Sequence, residues 1–189
     1  MNVPSRPLLS EGLQTATGIL RLRKGPEDMP TSTGLMWTFL VIDVVMRLVA
    51  SALIDDQVEY GSAPVIVAID LAILFIGVKV ALMMAMHPER FTQTFTALLG
   101  CHVVLLPALL AGQWMQVTYI NDQGMAGFAM FLTFLVALWY LVAAVRILRS
   151  ATGWPTFATV MLVLSIELLA GGIILAIYPP PAEALATPT

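Results

Sequence analysis

Several ionisable side chains lie inside apolar stretches that are long enough to cross a lipid bilayer. They are Asp43, Arg47, Asp70, Lys79, His102 and Glu167. Charged groups are costly in hydrocarbon, so each is expected to have a partner, a water-filled cavity or a role in ion movement. Asp43 and Arg47 are four positions apart, which puts them on one helix face in the more favourable order, acid before base. These residue types can form ion pairs, or can bind and transfer protons and ions.

The positions of these residues along their stretches predict which of them meet. A helix rises about 1.5 Å per residue, so Arg47 lies one turn beyond Asp43, and Asp70 reaches the depth of Arg47 if its helix runs antiparallel. A guanidinium presents enough donors to serve two carboxylates, which predicts a triad of Asp43, Arg47 and Asp70. His102 and Glu167, each near the middle of a later stretch, are predicted to form a second polar contact. We call these five residues the polar cluster.

Two interpretations of the polar cluster remain open at this point. In the first, it is a neutralised structural clamp, whose interhelical contacts contribute about 0.6 kcal/mol each and fix the register of the helices. In the second, Asp70, His102 and Glu167 line a path for protons or ions. Transporters usually carry inverted repeats and paired interrupted helices. This chain has an odd number of apolar stretches with Pro107 as their internal proline, which favours the clamp.

The same residues argue against a catalytic or cofactor site. Two aspartates on neighbouring helices resemble intramembrane aspartyl proteases, but those carry a glycine-x-glycine-aspartate motif, and Asp43 and Asp70 both follow apolar residues. Arg47 would also hold Asp43 ionised, which does not suit two carboxyls that share a proton. The sequence contains no HExxH, GxSxG or CxxC motif, and haem ligation would need a second histidine beside His102. We therefore expect a chain that is not an enzyme and holds no cofactor or metal.

The amino-acid composition indicates that this chain is embedded in a lipid bilayer. Of its 189 residues, 59% are hydrophobic and 11% are charged, against about 25% charged residues in soluble domains. A net charge of −3 and the lack of basic clusters with interleaved aromatic residues argue against nucleic acid as a partner. A membrane span needs about 20 apolar residues. Five stretches qualify: 33–54, 62–85, 92–117, 125–147 and 155–178. The predicted fold is an all-α, polytopic membrane helix bundle with five transmembrane helices.

The segment before the first stretch has a different pattern. Residues 8–24 predict an amphipathic helix, whose apolar arc holds Leu8, Leu9, Leu13, Ala16, Ile19 and Leu20. Arg21, Arg23 and Lys24 flank this arc, so we expect the helix to lie in the membrane interface with these three residues in contact with lipid. The alternatives are a helix that packs on a partner protein and a leader that orders poorly.

These patterns divide the chain into three regions. Residues 1–32 form a predicted cytoplasmic N-terminal segment, residues 33–178 a five-helix transmembrane domain, and residues 179–189 a proline-rich, solvated external tail. The basic residues outside the middle of the stretches all fall at one end of the predicted helices: Arg6, Arg21, Arg23, Lys24, Arg90, Arg146 and Arg149. Basic residues favour the cytoplasmic side, which predicts a cytoplasmic N-terminus and a periplasmic C-terminus.

The layout of five spans with a cytoplasmic N-terminus resembles the Yip family. Residues 21–30 (RLRKGPEDMP) and residues 90–100 (RFTQTFTALLG) are similar to stretches of small proteobacterial membrane proteins grouped with that family. The resemblance implies a non-enzymatic protein of the bacterial cytoplasmic (inner) membrane that works through partners, and it carries over no functional residue.

The function expected from these observations is that of a non-catalytic integral membrane protein, acting as a scaffold or assembly component of a membrane complex. Its expected partners are the lipid bilayer and either other membrane proteins or further copies of itself. The alternative is a component of proton- or ion-coupled transport that uses the polar cluster.

Overall fold

A computed structural model describes residues 7–54 and 63–178. Within these ranges every element of regular secondary structure is a helix. The helices are α1 (Leu8–Leu20), α2 (Thr33–Ile54), α3 (Ala63–Met84), α4 (Phe91–Thr118), α5 (Gln123–Thr152) and α6 (Thr156–Ile177), with single turns at Pro26–Asp28 and Pro88–Arg90. Arg6, the predicted loop near residues 55–61 and the predicted tail 179–189 lie outside the described residues.

Five of these helices, α2 to α6, are long and apolar enough to cross a bilayer. This confirms the predicted all-α fold with five apolar helices and indicates a multi-pass membrane protein. The main difference is at the end of the fourth span, which was predicted to stop at residue 147 although α5 continues to Thr152. Arg146 and Arg149 lower the hydropathy there without interrupting the helix, because arginine is a good helix former.

Side chains and backbone geometry at the ends of α5 explain its bounds. Asp122 Oδ1 accepts hydrogen bonds from the backbone N–H groups of Gly124 (3.0 Å) and Met125 (3.2 Å), which satisfies donors that a helix start leaves free. Gly153 ends the helix with φ of 73°, a left-handed conformation that glycine adopts without a steric penalty. The N–H group of Gly153 donates to the Arg149 carbonyl at 2.9 Å.

Helix α4 lies at the centre of the bundle and packs against α1, α2 and α5, while α6 packs against α3 and α5. The core is built mainly from α4, α5 and α3, and the largest fully buried apolar side chains include Phe39, Phe95, Leu98, Leu99, Ile147 and Leu148. Pro107 lies inside α4, which continues as one helix to Thr118.

A single glycine, Gly77, allows the close approach of α3 and α6. A Cβ atom at Gly77 would lie 2.7 Å from Ile166 Cδ1, so only glycine leaves room for that side chain. Ala68 and Ala72, whose spacing favours a tight contact, are exposed, and no atom lies within 4 Å of a Cβ placed at Gly171 or Gly172 in the described part of the chain.

Helix α1 ends at Leu20, four residues before the predicted end of the amphipathic helix. Its face carrying Gly12, Thr15, Ala16, Ile19 and Leu20 is buried, while Leu8 and Leu9 of the predicted apolar arc are 55% and 38% exposed. The helix crosses α4 between α2 and α5. Ala16 meets Gly100, and the Cys101 thiol donates to the Ala16 carbonyl at 3.7 Å. Trp139 Nε1 on α5 donates to the Leu20 carbonyl at 3.1 Å.

The loops that carry basic residues meet at one end of the bundle, which we call the basic end. Arg90 Nη1 donates to the Ser150 and Ala151 carbonyls at 3.4 and 3.3 Å, so the α3–α4 connection touches the last turn of α5. Gln93 Nε2 donates to the Glu27 carbonyl at 2.9 Å, and Ser150 Oγ donates to Glu27 Oε2 at 2.9 Å. The turn after α1 is therefore held to the first turn of α4 and to the last turn of α5.

The contact of α1 with α4 predicts the effect of a larger side chain at Gly100. A Cβ atom there would lie 3.1 Å from Phe39 Cε2 and 3.2 Å from Ala16 Cβ. We expect Gly100→Leu to lower the free energy of unfolding by about 1–3 kcal/mol, because the extra atoms overpack this contact. Denaturant unfolding in detergent micelles measures the change. The matched control is Gly127→Leu on α5, where no atom of the described residues lies within 4 Å of an added Cβ. Equal stabilities for the two variants would contradict this packing.

Candidate functional site

Four members of the polar cluster touch one another where α2, α3 and α4 meet. Arg47 Nη1 donates a hydrogen bond to Asp70 Oδ2, and Arg47 Nε lies 2.9 Å from Asp43 Oδ2. The other oxygen of Asp43 forms a short hydrogen bond with His102 Nδ1. Arg47 therefore pairs with both carboxylates of the predicted triad, and His102 from α4 joins the same group. We call Asp43, Arg47, Asp70 and His102 the clamp.

The partners of His102 determine which ring nitrogen carries a proton. An ionised carboxylate can only accept, so the bond to Asp43 requires a proton on His102 Nδ1. Nδ1 then has no free lone pair for Arg47 Nη2, and their separation of 3.4 Å is a close approach of two donors. The His102 imidazole therefore donates its hydrogen bond to Asp43, and the Arg47 guanidinium pairs with the carboxylates of Asp43 and Asp70.

Burial differs sharply across the clamp. Asp43 has no solvent exposure, while the side chains of His102, Arg47 and Asp70 are 12%, 22% and 27% exposed. Among the described residues, Asp43 Oδ2 and Arg47 Nε have no hydrogen-bond partner although they are 2.9 Å apart. The N–H bond of Arg47 is thus misdirected, and this pair is held by charge attraction alone. Removing charges from water is costly, so Asp43 depends on both neighbours.

Glu167, the fifth member of the polar cluster, stands apart from the clamp. It is exposed on α6 and makes no hydrogen bond or ion pair within the part of the chain that the structure describes. The expected second contact between His102 and Glu167 is replaced by the bond between His102 and Asp43. The reason is that Asp43 has a second oxygen facing α4, which the guanidinium does not occupy.

A cavity of about 560 Å³ connects Glu167 with the clamp. We call it the side cavity. It is lined by Arg47, Ile66, Val67, Asp70, Leu74, His102, Leu109, Phe134, Ala137, Leu138, Tyr140, Leu141, Glu167 and Ile174. Phe134 is 61% exposed and Leu138 43% exposed, so the cavity reaches the outer surface of the bundle beside α5. Its polar groups come from α2 to α6, one helix each.

A second cavity, of about 550 Å³, extends from the clamp toward the end of the bundle opposite the basic end. We call it the end cavity. It shares Arg47 and His102 with the side cavity and reaches Ala63, the first residue of α3, and Val117, near the last residue of α4. Arg47 and His102 of the clamp therefore border two spaces, one at the side and one at the end of the bundle, as do Ile66, Val67 and Leu109.

Four polar residues that line these cavities were not identified from the sequence: Ser51, Gln113, Gln116 and Tyr140. Tyr140 packs its ring edge-on against His102, with centroids 5.2 Å apart. Gln113 and Gln116 line the end cavity, and Gln116 Nε2 donates to Thr133 Oγ1 at 2.9 Å. The spacing of His102, Gln113 and Gln116 puts them on one face of α4, which is the signal that could have identified both glutamines. Tyr140 has no comparable signal because aromatic residues are common in apolar helices.

The predicted lipid contacts and Lys79 lie away from the clamp. Arg21, Arg23 and Lys24 are exposed and line a cleft of about 400 Å³ on α1. Lys24 Nζ also donates to Thr15 Oγ1 at 3.3 Å. Lys79 Nζ lies 5.9 Å from the centroid of the Phe75 ring, within cation–π range.

The arrangement offers charge neutralisation, proton binding and ligand binding as its chemistry. Its three carboxylates and one guanidinium sum to −2 when His102 is neutral and to −1 when His102 is protonated. In the described ranges, no group of three or more His, Cys, Asp or Glu side chains is arranged to hold a metal ion.

Comparisons with known proteins return no match: no family model, no curated protein and no solved structure matches this chain. The resemblance to the Yip family accordingly stays a prediction.

The burial of Asp43 predicts a large effect for the loss of its cationic partner. We expect Arg47→Met to lower the free energy of unfolding by about 3–5 kcal/mol, because it leaves a buried carboxylate without compensation. Denaturant unfolding of the purified protein in micelles measures the loss. Arg149→Met removes an exposed arginine at the end of α5 and serves as the control, with an expected loss below about 1 kcal/mol. If both variants unfolded alike, the clamp would contribute nothing to stability.

Proposed function

We propose that this chain is a non-catalytic integral membrane protein that acts as a scaffold or assembly component of a membrane complex. The observation that carries the proposal is the clamp, in which Arg47 pairs with Asp43 and Asp70, and His102 forms a hydrogen bond with the other oxygen of Asp43. These contacts fix the register of α2, α3 and α4 against one another. A protein whose buried charges serve its own rigidity is suited to presenting fixed helix faces to partners.

The surface of the bundle supports assembly with another membrane protein or a second copy. Glu167 is exposed among apolar neighbours on α6: Leu168 is 74% exposed and Leu169 is 56% exposed. A carboxylate facing hydrocarbon is costly. A polar side chain from a partner helix would remove that cost, so Glu167 is the residue at which we place a partner.

We place the basic end of the bundle in the cytoplasm of a bacterial cell, in its inner membrane, by the bias of basic residues toward that side. The N-terminus is then cytoplasmic and the C-terminus periplasmic. Helices α4 and α5 are longer than a membrane span requires. With 28 and 30 residues, they exceed the about 20 residues that a bilayer needs by about 12–15 Å of helix.

The excess length of α4 accommodates α1 in the membrane interface. Ala16 packs beside Gly100, which lies about 14 Å along α4 from Phe91, a depth close to that excess. Exposed Leu8 and Leu9 would then enter the lipid boundary, while Arg21, Arg23 and Lys24 would contact anionic headgroups.

A second candidate function is proton- or ion-coupled transport. The side cavity supports it, because it joins Asp70, His102 and Glu167 in one space. The clamp is shared with the end cavity, so rearrangement of one group of side chains would connect the side of the bundle to the end opposite the basic end. In this function Glu167 would bind the proton or ion.

The proposed orientation predicts the behaviour of reporter fusions. Alkaline phosphatase fused to the C-terminus should be active in a bacterial host, because its disulfides form in the periplasm. The same enzyme inserted at Gly153, in the α5–α6 connection of the basic end, should be inactive. Colony colour on a chromogenic phosphatase substrate reads both results, and the opposite pattern would reverse the topology.

The substitution Glu167→Gln separates the two candidate functions. If the chain is an assembly component, this variant should reduce recovery of the complex after mild detergent extraction, while any electrogenic or uptake signal stays unchanged, because the lost carboxylate pairs with a partner helix. If the chain is a transport component, wild-type protein in proteoliposomes should show a pH-dependent flux that the variant abolishes. An unchanged complex together with an absent flux would refute both assignments of Glu167.

A further inference from the structure

We propose that the side cavity binds a small organic monocation with an apolar body. Its positive group would lie between Glu167 and Asp70, and its apolar part would contact Phe134, Leu138 and Ile174. The inference rests on the second candidate function in treating Glu167 as a ligand-binding residue, and it adds the class of substrate.

The charge balance of the polar cluster favours a cation. The clamp matches Arg47 against Asp43 and Asp70, so its three charged members already sum to −1. Glu167 adds a further negative charge that no described residue pairs with. Charges of like sign disfavour one another strongly where the dielectric constant is low. A monocation next to Glu167 would reduce this excess, whereas an anion would increase it.

The size and lining of the side cavity favour an organic ion over a metal ion. Its volume of about 560 Å³ falls in the range of about 300–1,000 Å³ that is common for small-molecule sites. Calcium ions require about six to eight oxygen ligands, whereas among the described residues the side-chain oxygens that line this cavity come from Asp70, Tyr140 and Glu167. The other lining residues are mostly aliphatic or aromatic, as a ligand with an apolar body requires.

Aromatic rings in the lining of the side cavity and its opening toward the bilayer also favour an organic cation as its ligand. Tyr140 and Phe134 both line the cavity, and aromatic faces attract organic cations. Phe134 is 61% exposed, so the cavity is open at the surface that α5 presents to lipid. A lipophilic cation dissolved in the membrane could therefore enter without passing the clamp.

Equilibrium dialysis with radiolabelled tetraphenylphosphonium tests the inference on the purified full chain in detergent micelles. Wild-type protein should bind this probe saturably. Glu167→Gln should weaken binding by about tenfold or more, a change that corresponds to loss of one charged contact. The matched control is Glu11→Gln, an identical substitution at an exposed position of α1, which should leave the affinity unchanged.

A second variant distinguishes loss of the binding site from loss of folding. Ala137 lines the side cavity and is exposed on α5, so Ala137→Phe fills the cavity without changing its charge or the clamp. We expect this variant to elute as a monodisperse protein in size-exclusion chromatography and to bind the probe about tenfold more weakly or not at all.

The possible outcomes separate this inference from the transport function. Saturable binding that Glu167→Gln and Ala137→Phe both weaken supports the cation site, even when proteoliposomes show no flux. A proton flux that depends on Glu167, without saturable binding of the probe, overturns the cation site and leaves the transport function standing. Binding that is equal in wild type and Glu167→Gln also overturns the inference, because the probe is then only partitioning into micelles.

Discussion

The structure depends on a carboxylate that has no access to solvent at bilayer depth. Asp43 must be compensated by groups from outside its own helix turn, and it receives Arg47 from the next turn and His102 from α4. Because Arg47 also holds Asp70 of α3, one buried charge ties three helices together. In a bilayer, where water cannot stabilise separated charges and apolar burial does not drive helices together, such a contact determines which helix faces meet.

The placement of α6 follows a different principle. It meets α3 where Gly77 leaves room for Ile166, and this steric contact positions the adjacent Glu167 toward the side cavity. Glu167 is thus brought close to the clamp without being paired by it. The bundle consequently contains the clamp, whose charged side chains pair with one another, and Glu167, which forms no ion pair with a described residue. The proposed functions differ in what they place at that carboxylate.

Much of this arrangement could be predicted from residue types and spacing. Hydropathy identifies five spans, because the cost of unsatisfied backbone groups in lipid leaves long helices as the solution. The spacing of Asp43 and Arg47 and the depth of Asp70 predict their proximity. The partner of His102 could not be predicted, because it depends on how α4 is rotated against α2. Gly77 was missed for a similar reason: a single glycine in an apolar helix has no spacing pattern, and only the neighbouring helix shows that it is needed.

The position of the chain's one cysteine gives the molecule a built-in reporter. Cys101 is fully buried beneath α1, with its sulfur on the Ala16 carbonyl. A thiol in this position is shielded from alkylating reagents for as long as the N-terminal helix stays docked. Its rate of labelling in intact membranes therefore measures how often that helix lifts from the bundle, and no engineered probe is required.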